Sequence, residues 1–325
     1  MKKTALIFII VCCFSIILAQ PQPASARLKF ISFGTGSPAG TYYFLGAGFA
    51  SIINKQVPNV RVTAESTAAS LENATLISRG KMDMGLAAMG TLTKLKARGV
   101  DISPLRLIAI GHTSDTHWIV RKDSPIKTIA DFKGKRIGVG PAGSGTLKLF
   151  SQEALEKGWG LTFDDFSPKY ISFSEIITGI RDNTIDAGNI SAGMPVAAIM
   201  ELARDIPLRL VETSDADYER LRKGNPIFQS KIIPAKTYKG IDQDVQTYSL
   251  PQMWLCSASM SKELVYQIIK AVYDNDKQRN AIHPMAKMYT TENAFFGCQA
   301  VPANFHPGAI KYYKEKGVWG TKDKK

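Results

Sequence analysis

Cysteine, histidine and long apolar runs are all scarce in this chain of 325 residues, and each shortage excludes a class of function. There are four cysteines and four histidines, and no Cys/His spacing resembles a zinc site. His112, His117, His283 and His306 are scattered. His112 and His117 are five apart, which puts them on different faces of a helix and on opposite faces of a strand. A structural or surface role is expected for all four. The turn Gly34-Thr35-Gly36-Ser37-Pro38-Ala39-Gly40 spaces its last glycine one residue too far for a dinucleotide fingerprint, and no acidic residue follows at the required distance. Neither this turn nor the later one, Gly140 to Thr146, carries the Gly-Lys-Ser/Thr of a P-loop. No Gly-x-Ser-x-Gly nucleophile elbow occurs either. No cofactor, metal or catalytic residue is therefore expected.

The one pronounced apolar run, Ala5 to Ala19, falls short of the ~20 residues that span a bilayer. Lys2 and Lys3 precede it and Ala24-Ser25-Ala26 follow, the pattern of a cleaved signal peptide. Residues 1–26 are expected to be that leader, delivering 27–325 to the periplasm; a retained anchor is the alternative. Cys12 and Cys13 would leave with it, and they lack the small preceding residue of a lipoprotein site. Cys256 and Cys298 would remain, as one disulfide or as two buried thiols. The formal charge is +13, or +11 without Lys2 and Lys3, but the basic residues are dispersed. Only Lys311 to Lys325 is densely basic, and Glu315 and Asp323 interrupt it. This reads as a solvated surface with no nucleic-acid partner, attractive at most to anions. Apolar content of 45% and charged content of 21% are those of an ordinary globular protein, and the length suggests two domains.

What is present is a repeat. Leu28 to Phe33 reads as a strand, runs into the first glycine turn, and leaves as an amphipathic helix from Tyr42 to Ile53. Arg136 to Val139 enters the second turn, and the following helix sets Leu147, Phe150, Ala154 and Leu155 on one side, with Gly158 as its stop. A second pair of segments aligns at a fixed offset of 103 residues. Glu72, Ile77, Met82-Asp83, Gly85 and Gly90 correspond to Glu175, Ile180, Ile185-Asp186, Gly188 and Gly193. Two homologous α/β lobes are expected, with mostly parallel sheets and a ligand crevice at the carboxyl ends of the strands. Helix N-termini pointing into that crevice offer free N–H groups and partial positive charge, enough to hold a carboxylate or phosphate.

Val60 to Ala64 alternates as a strand and leads into Glu65-Ser66-Thr67-Ala68-Ala69. Ser70 is expected to cap the next helix, with Glu72 in its first turn. Ser66, Thr67 and Ser70 would then set hydroxyls beside free N–H groups. Tyr42 is a candidate hydrogen-bond donor to a carboxylate, and Trp254 a candidate apolar wall, with core packing as the rival for each.

These residues carry a family resemblance. Gly34-Thr35-Gly36 with Gly40-Thr41-Tyr42-Tyr43 and Leu45-Gly46 resembles the opening motif of the TAXI family, substrate-binding subunits of tripartite ATP-independent periplasmic (TRAP) transporters. Glu65-Ser66-Thr67 with Ser70, Glu72 and Asn73, the Asp83–Gly85 element and the second glycine turn also match. So do Tyr238, Asp242 to Val245, Asp274-Asn275, His306-Pro307-Gly308-Ala309, Tyr312-Tyr313 and Gly317. The resemblance implies a two-lobed type II periplasmic binding-protein fold that closes over its ligand. The crossings are expected near His117 to Arg121 and Thr247 to Pro251. Lobe one is then 27–118 plus 250–325, and lobe two 119–249.

The implied function is capture of a small organic anion, a carboxylate, dicarboxylate or glutamate-like amino acid, for delivery to an ion-driven TRAP permease. The protein is expected to be a monomer and not an enzyme. A ligand-presenting sensor and a periplasmic enzyme on the same fold, with Glu72 as acid, are the alternatives. The expected ligand contacts are Thr35, Gly36, Ser37, Gly40, Thr41 and Tyr42 in the first loop. Ser66, Thr67, Ser70, Glu72 and Asn73 follow in the second, Ser144, Gly145 and Thr146 in the third, and Met89, Gly193 and Trp254 elsewhere. Met89 and Met194 stand where family members often have glutamine or another polar residue. They imply a ligand tail less polar than that of glutamate, and Met89→Gln is expected to shift preference towards amide- or amino-bearing ligands.

Overall fold

A computed structural model of the chain describes residues 27–320. The expected signal peptide and the last five residues of the basic tail lie outside the described residues. None of the described helices is long and apolar enough to cross a membrane.

Ten strands form the framework: β1 (Lys29–Gly34), β2 (Val60–Glu65), β3 (Met84–Ala88), β4 (Leu105–Arg121), β5 (Arg136–Gly138), β6 (Ser167–Lys169), β7 (Ala187–Ala192), β8 (Leu208–Leu210), β9 (Gln229–Ile233) and β10 (Val245–Ser257). Their order is β2-β1-β3-β10-β4-β7-β5-β6, with β8 on β4 and β9 on β10. β1, β2 and β3 are parallel in one lobe, and β5, β6 and β7 in the other. Two long antiparallel strands, β4 and β10, run through both. The C-terminal half of β10 pairs with β3, from Gln252 to Cys256, and its N-terminal half with β9, from Val245 to Ser249. On β4, pairing with β7 begins at Asp115, which faces Ala192. The stretches expected to cross, His117 to Arg121 and Thr247 to Pro251, lie within β4 and β10. A register shift between Pro251 and Met253 marks the passage.

Each lobe buries both faces of its sheet, and strand alternation divides the side chains. Trp254 and Cys256 join Phe33, Phe49 and Tyr313 on one face of lobe one. Met253 and Leu255 join Leu71, Leu92 and Leu107 on the other. In lobe two Trp118 and Val120 pack with Phe132 and Phe150, whereas Ile119 packs with Ile176 and Ile190.

The sequence repeat has a physical basis. Helices Ser70–Ser78 and Phe173–Arg181 have the same length and sit at the same offset of 103. Asp83 accepts the Ser32 N–H at 2.8 Å in lobe one, and Asp186 accepts the Arg136 N–H at 2.7 Å in lobe two. Each aspartate pins the neighbouring first strand of its lobe. Gly34 faces Gly85, and Gly138 faces Gly188. A Cβ on Gly85 would lie 3.1 Å from Asn73, and one on Gly188 would lie 2.3 Å from Ile176, its equivalent. Both glycines let the repeated helix pack against the sheet.

Three local expectations change. Helix Ala154–Trp159 ends at Gly160, whose φ of 66° supplies the left-handed stop expected at Gly158. Ser70 opens its helix without capping it: its hydroxyl instead accepts the Ala88 N–H at 3.0 Å and ties helix to strand. Cys256 and Cys298 are not joined in a disulfide. Cys256 is buried with the Trp254 face of the sheet and Cys298 packs on the Met253 face, so the sheet separates them.

Candidate functional site

The lobes meet over a cavity at the carboxyl ends of β1, β3, β5 and β7, where the glycine turns face each other. Three helix starts line it: Thr41 and Tyr42 of helix Thr41–Gln56, Ser70 of helix Ser70–Ser78, and Thr146 of the π-helical turn Thr146–Glu153. Such a wide turn accommodates an irregular, positioned backbone, a feature frequent at binding sites. Gly145 permits the approach: a Cβ there would fall 2.7 Å from the Ser70 hydroxyl of the other lobe.

The lobes are latched together around this cavity. Thr41 Oγ1 donates to the Gly193 carbonyl at 2.8 Å, and His283 Nε2 meets the Pro195 carbonyl at 3.3 Å. The Leu71 and Glu72 N–H groups both donate to the Gly143 carbonyl, at 3.1 and 3.2 Å. Farther out, Lys94 pairs with Glu153 at 2.8 Å. This is the closed arrangement, with about 50 Å³ open to the centre of a water-sized sphere.

Of the residues expected in the site, Gly36, Ser37, Gly40, Thr41, Tyr42, Thr67, Ser70, Ser144, Gly145 and Thr146 line the cavity. Thr35, Ser66, Glu72 and Asn73 stand behind it and shape the loops. Thr35 Oγ1 donates to the Glu65 carbonyl at 2.6 Å, and Ser66 Oγ to the Gly36 carbonyl at 3.0 Å. Asn73 is fully buried; its amide donates to the Thr35 and Leu86 carbonyls at 2.8 Å each and accepts from Thr67 Oγ1 at 2.6 Å. Glu72 Oε2 accepts the Ala68 N–H at 2.5 Å and braces the loop, which leaves it out of the cavity.

Ala69 takes the strained junction, with φ 74° and ψ −137°, a conformation that L-residues rarely adopt and that clusters at binding sites. Its N–H is held by Thr67 Oγ1 at 2.9 Å. Tyr42 donates its hydroxyl to Gln252 Oε1, with Ser70 Oγ at 3.5 Å. Burial pushes the Tyr42 phenol well above its ordinary value, so it acts only as a neutral hydrogen-bonding group.

Three expected contacts lie elsewhere. Trp254 is core: it stacks on Phe33 at 5.7 Å and tilts against Phe49 at 5.4 Å. Met89 is buried on the Met253 face, against Gly297, so it cannot meet a ligand in the cavity and Met89→Gln would instead disturb the core. Gly193 contributes its carbonyl to the Thr41 latch. Met194 packs against the Ile119 face of lobe two.

The sequence reading missed Ser114, Phe150, Phe173, Ser191 and Gln252, which also line the cavity. Ser114 and Gln252 sit where β4 and β10 cross, and no local motif marks them. Phe150 packs with Leu147, Ala154 and Leu155 and also reaches the cavity, and Phe173 reaches it from the lobe-two repeat helix.

None of the four histidines lines the cavity. His117 bonds the Ile190 carbonyl at 3.0 Å and Tyr238 at 2.9 Å, and burial lowers its pKa to about 4. His112 bonds Tyr289 at 3.0 Å, and burial with the nearby His283 lowers it to about 3. His283 and His306 cap short helical segments. All four are structural.

The sequence profile of the NMT1-like family matches residues 33–317. The chain belongs to the NMT1-like family. Among solved structures this family member is similar to a protein from Bordetella bronchiseptica RB50, at 15% identity over 89% of this chain and 98% of that one, with a TM-score of 0.55. It also resembles the alkanesulfonate-binding protein SsuA from Xanthomonas axonopodis pv. citri, solved with MOPS bound. There the identity is 17% over 90% and 81% of the two chains, with a TM-score of 0.47. The periplasmic aliphatic sulphonate-binding protein from Escherichia coli gives 16% over 88% and 83%, with a TM-score of 0.44. The fold of this NMT1-like chain is the two-lobed α/β fold of periplasmic binding proteins.

Proposed function

We propose that this protein is an extracytoplasmic solute-binding protein that captures a small organic anion and hands it, unaltered, to a membrane permease. The observation that carries this reading is the convergence of three helix starts, from both lobes, on one enclosed cavity. Helix N-termini supply N–H donors and about half a positive charge each, which suits an anion without any cationic side chain. Lobe one is 27–118 with 250–325 and lobe two is 119–249, with the β4 crossing beginning at Asp115. Delivery to a TRAP-type permease rests on the TAXI-like motifs, several of which fall in the cleft loops. A monomer in the periplasm, freed of residues 1–26, suits a lobe pair that opens and closes.

A thermal-shift screen of residues 27–325 against mono- and dicarboxylates, keto acids, sulfonates and amino acids tests capture. A ligand that binds only the folded state raises the melting temperature by mass action. One strong hit, recovered chemically intact, is the expected result. A hit that is consumed, or none across the panel, contradicts capture of a small anion.

A further inference from the structure

The twenty residues that line the cavity carry no charge: they are glycines, alanines, one proline, hydroxyl residues, Phe150, Phe173 and Gln252. The neighbouring carboxylates do not line it. Glu72 braces the Ala68 N–H, and Asp115, whose Oδ1 accepts from Thr113 at 3.0 Å, lies on the side of β4 opposite Ser114. An ammonium enclosed here meets only neutral groups, and a buried charge without a partner is strongly disfavoured.

An anion is treated differently. The helix starts at Thr41 and Thr146 face it, whereas at the Ser70 start the Leu71 and Glu72 N–H groups are already taken by the Gly143 carbonyl. Two hydroxyls also wait there. Ser114 and Thr146 are only 3% and 6% exposed, both line the cavity, and neither hydroxyl has a hydrogen-bond partner among the described residues. Two anionic groups in one small cavity without a cation would repel each other, so a single head is favoured. The cavity is small, about 50 Å³.

Building on the capture reading above, we propose that the ligand is a short, singly charged oxyanion, a carboxylate or sulfonate, with an uncharged tail and no amino group. The head lies at the helix starts with Ser114 and Thr146, and the tail lies against Phe150 and Phe173. Glutamate-like zwitterions and dicarboxylates, which the family resemblance allows, are excluded by the neutral lining.

Isothermal titration of residues 27–325 with matched acids tests this. Propionate, butyrate and valerate are each compared with the 2-amino acid of the same skeleton, butyrate with succinate, and propane-1-sulfonate with 3-aminopropane-1-sulfonate. The expected result is binding by at least one plain mono-anion, with its amino partner ~100-fold weaker or more. The stronger of the carboxylate and sulfonate series identifies the head. An amino acid that binds as well as its plain counterpart, or succinate binding better than butyrate, overturns the proposal and leaves capture standing. So does silence from every plain mono-anion while another compound shifts the melting temperature. Silence across both experiments overturns capture as well. Ser191→Asp adds the missing carboxylate at a lining position and is expected to raise 2-aminobutyrate affinity about tenfold or more; no gain in a variant that folds by circular dichroism contradicts the electrostatic argument.

Discussion

At the scale of single residues, the cleft depends on atoms that are not there. Gly145 has φ −66°, a conformation any residue adopts, so its glycine serves the approach of the two lobes, not a special turn. Alanine at 145 would place its Cβ 2.7 Å from Ser70 Oγ, which the Ala88 N–H holds in place. Gly145→Ala is therefore expected to leave thermal stability without ligand unchanged or slightly raised, because alanine restricts the unfolded chain. It should weaken ligand affinity about tenfold or more, since closure must now displace Ser70; calorimetry and melting curves on one sample check both halves. Several residues with polar side chains proved to be supports, and sequence could not separate the two roles. Asn73 and Ser70 carry equally suitable groups, but only the fold shows Asn73 knotted to Thr35, Leu86 and Thr67 behind the loop while Ser70 faces the cavity. Trp254 was ambiguous for the same reason: a buried indole packs as well against Phe33 as against a ligand.

At the scale of elements, the repeat was legible because packing imposes it. The 103-residue offset preserves an aspartate that pins a strand and a glycine that admits a helix, so the same residue types recur in both lobes. The strand-turn-helix order at the two glycine turns was readable for similar reasons. The long strands β4 and β10 were harder to read, since they pair with each other across more than 100 residues of sequence and no periodicity announces where one lobe ends. Cleft residues on those crossings, Ser114 and Gln252, were missed with them. The two copies also differ at the helix start. Lobe two uses a capping box, Ser172 with Glu175, whereas lobe one strains Ala69. Ala69→Gly is expected to raise stability by about 1 kcal/mol, the strain relieved less the glycine entropy. Urea unfolding measures this, and a loss of stability would mean that the conformation at 69 is unstrained.

At the scale of the whole molecule, buried ionisable groups near the crossing make stability depend on pH in opposing ways. Burial lowers His112 to about 3 and His117 to about 4, so the unfolded chain binds their protons first. Their contribution is present above the unfolded value of ~6.5 and is lost as pH falls towards 4. Burial raises Asp115 to about 6, against the pull of Lys231 and Thr113. Its contribution is complete below ~3.9 and is lost as pH rises through 6. Asp115→Asn is accordingly expected to gain about 1–3 kcal/mol at pH 7.5, with the gain vanishing by pH 4 and acid destabilisation becoming steeper. Unfolding curves from pH 4 to 8 on both proteins check the sign; a gain independent of pH would mean that folding leaves the Asp115 pKa unchanged. Function rests on a simpler claim, that the ligand sits in the enclosed cavity between the lobes. Ala68 lines that cavity and is only partly buried, so a large side chain can enter there without disturbing a core. The decisive measurement is calorimetric titration of wild type and Ala68→Trp with the strongest ligand from the acid panel. Binding should fall ~100-fold or more in the variant while its melting temperature without ligand stays near wild type; undiminished affinity would place the site elsewhere and contradict the account.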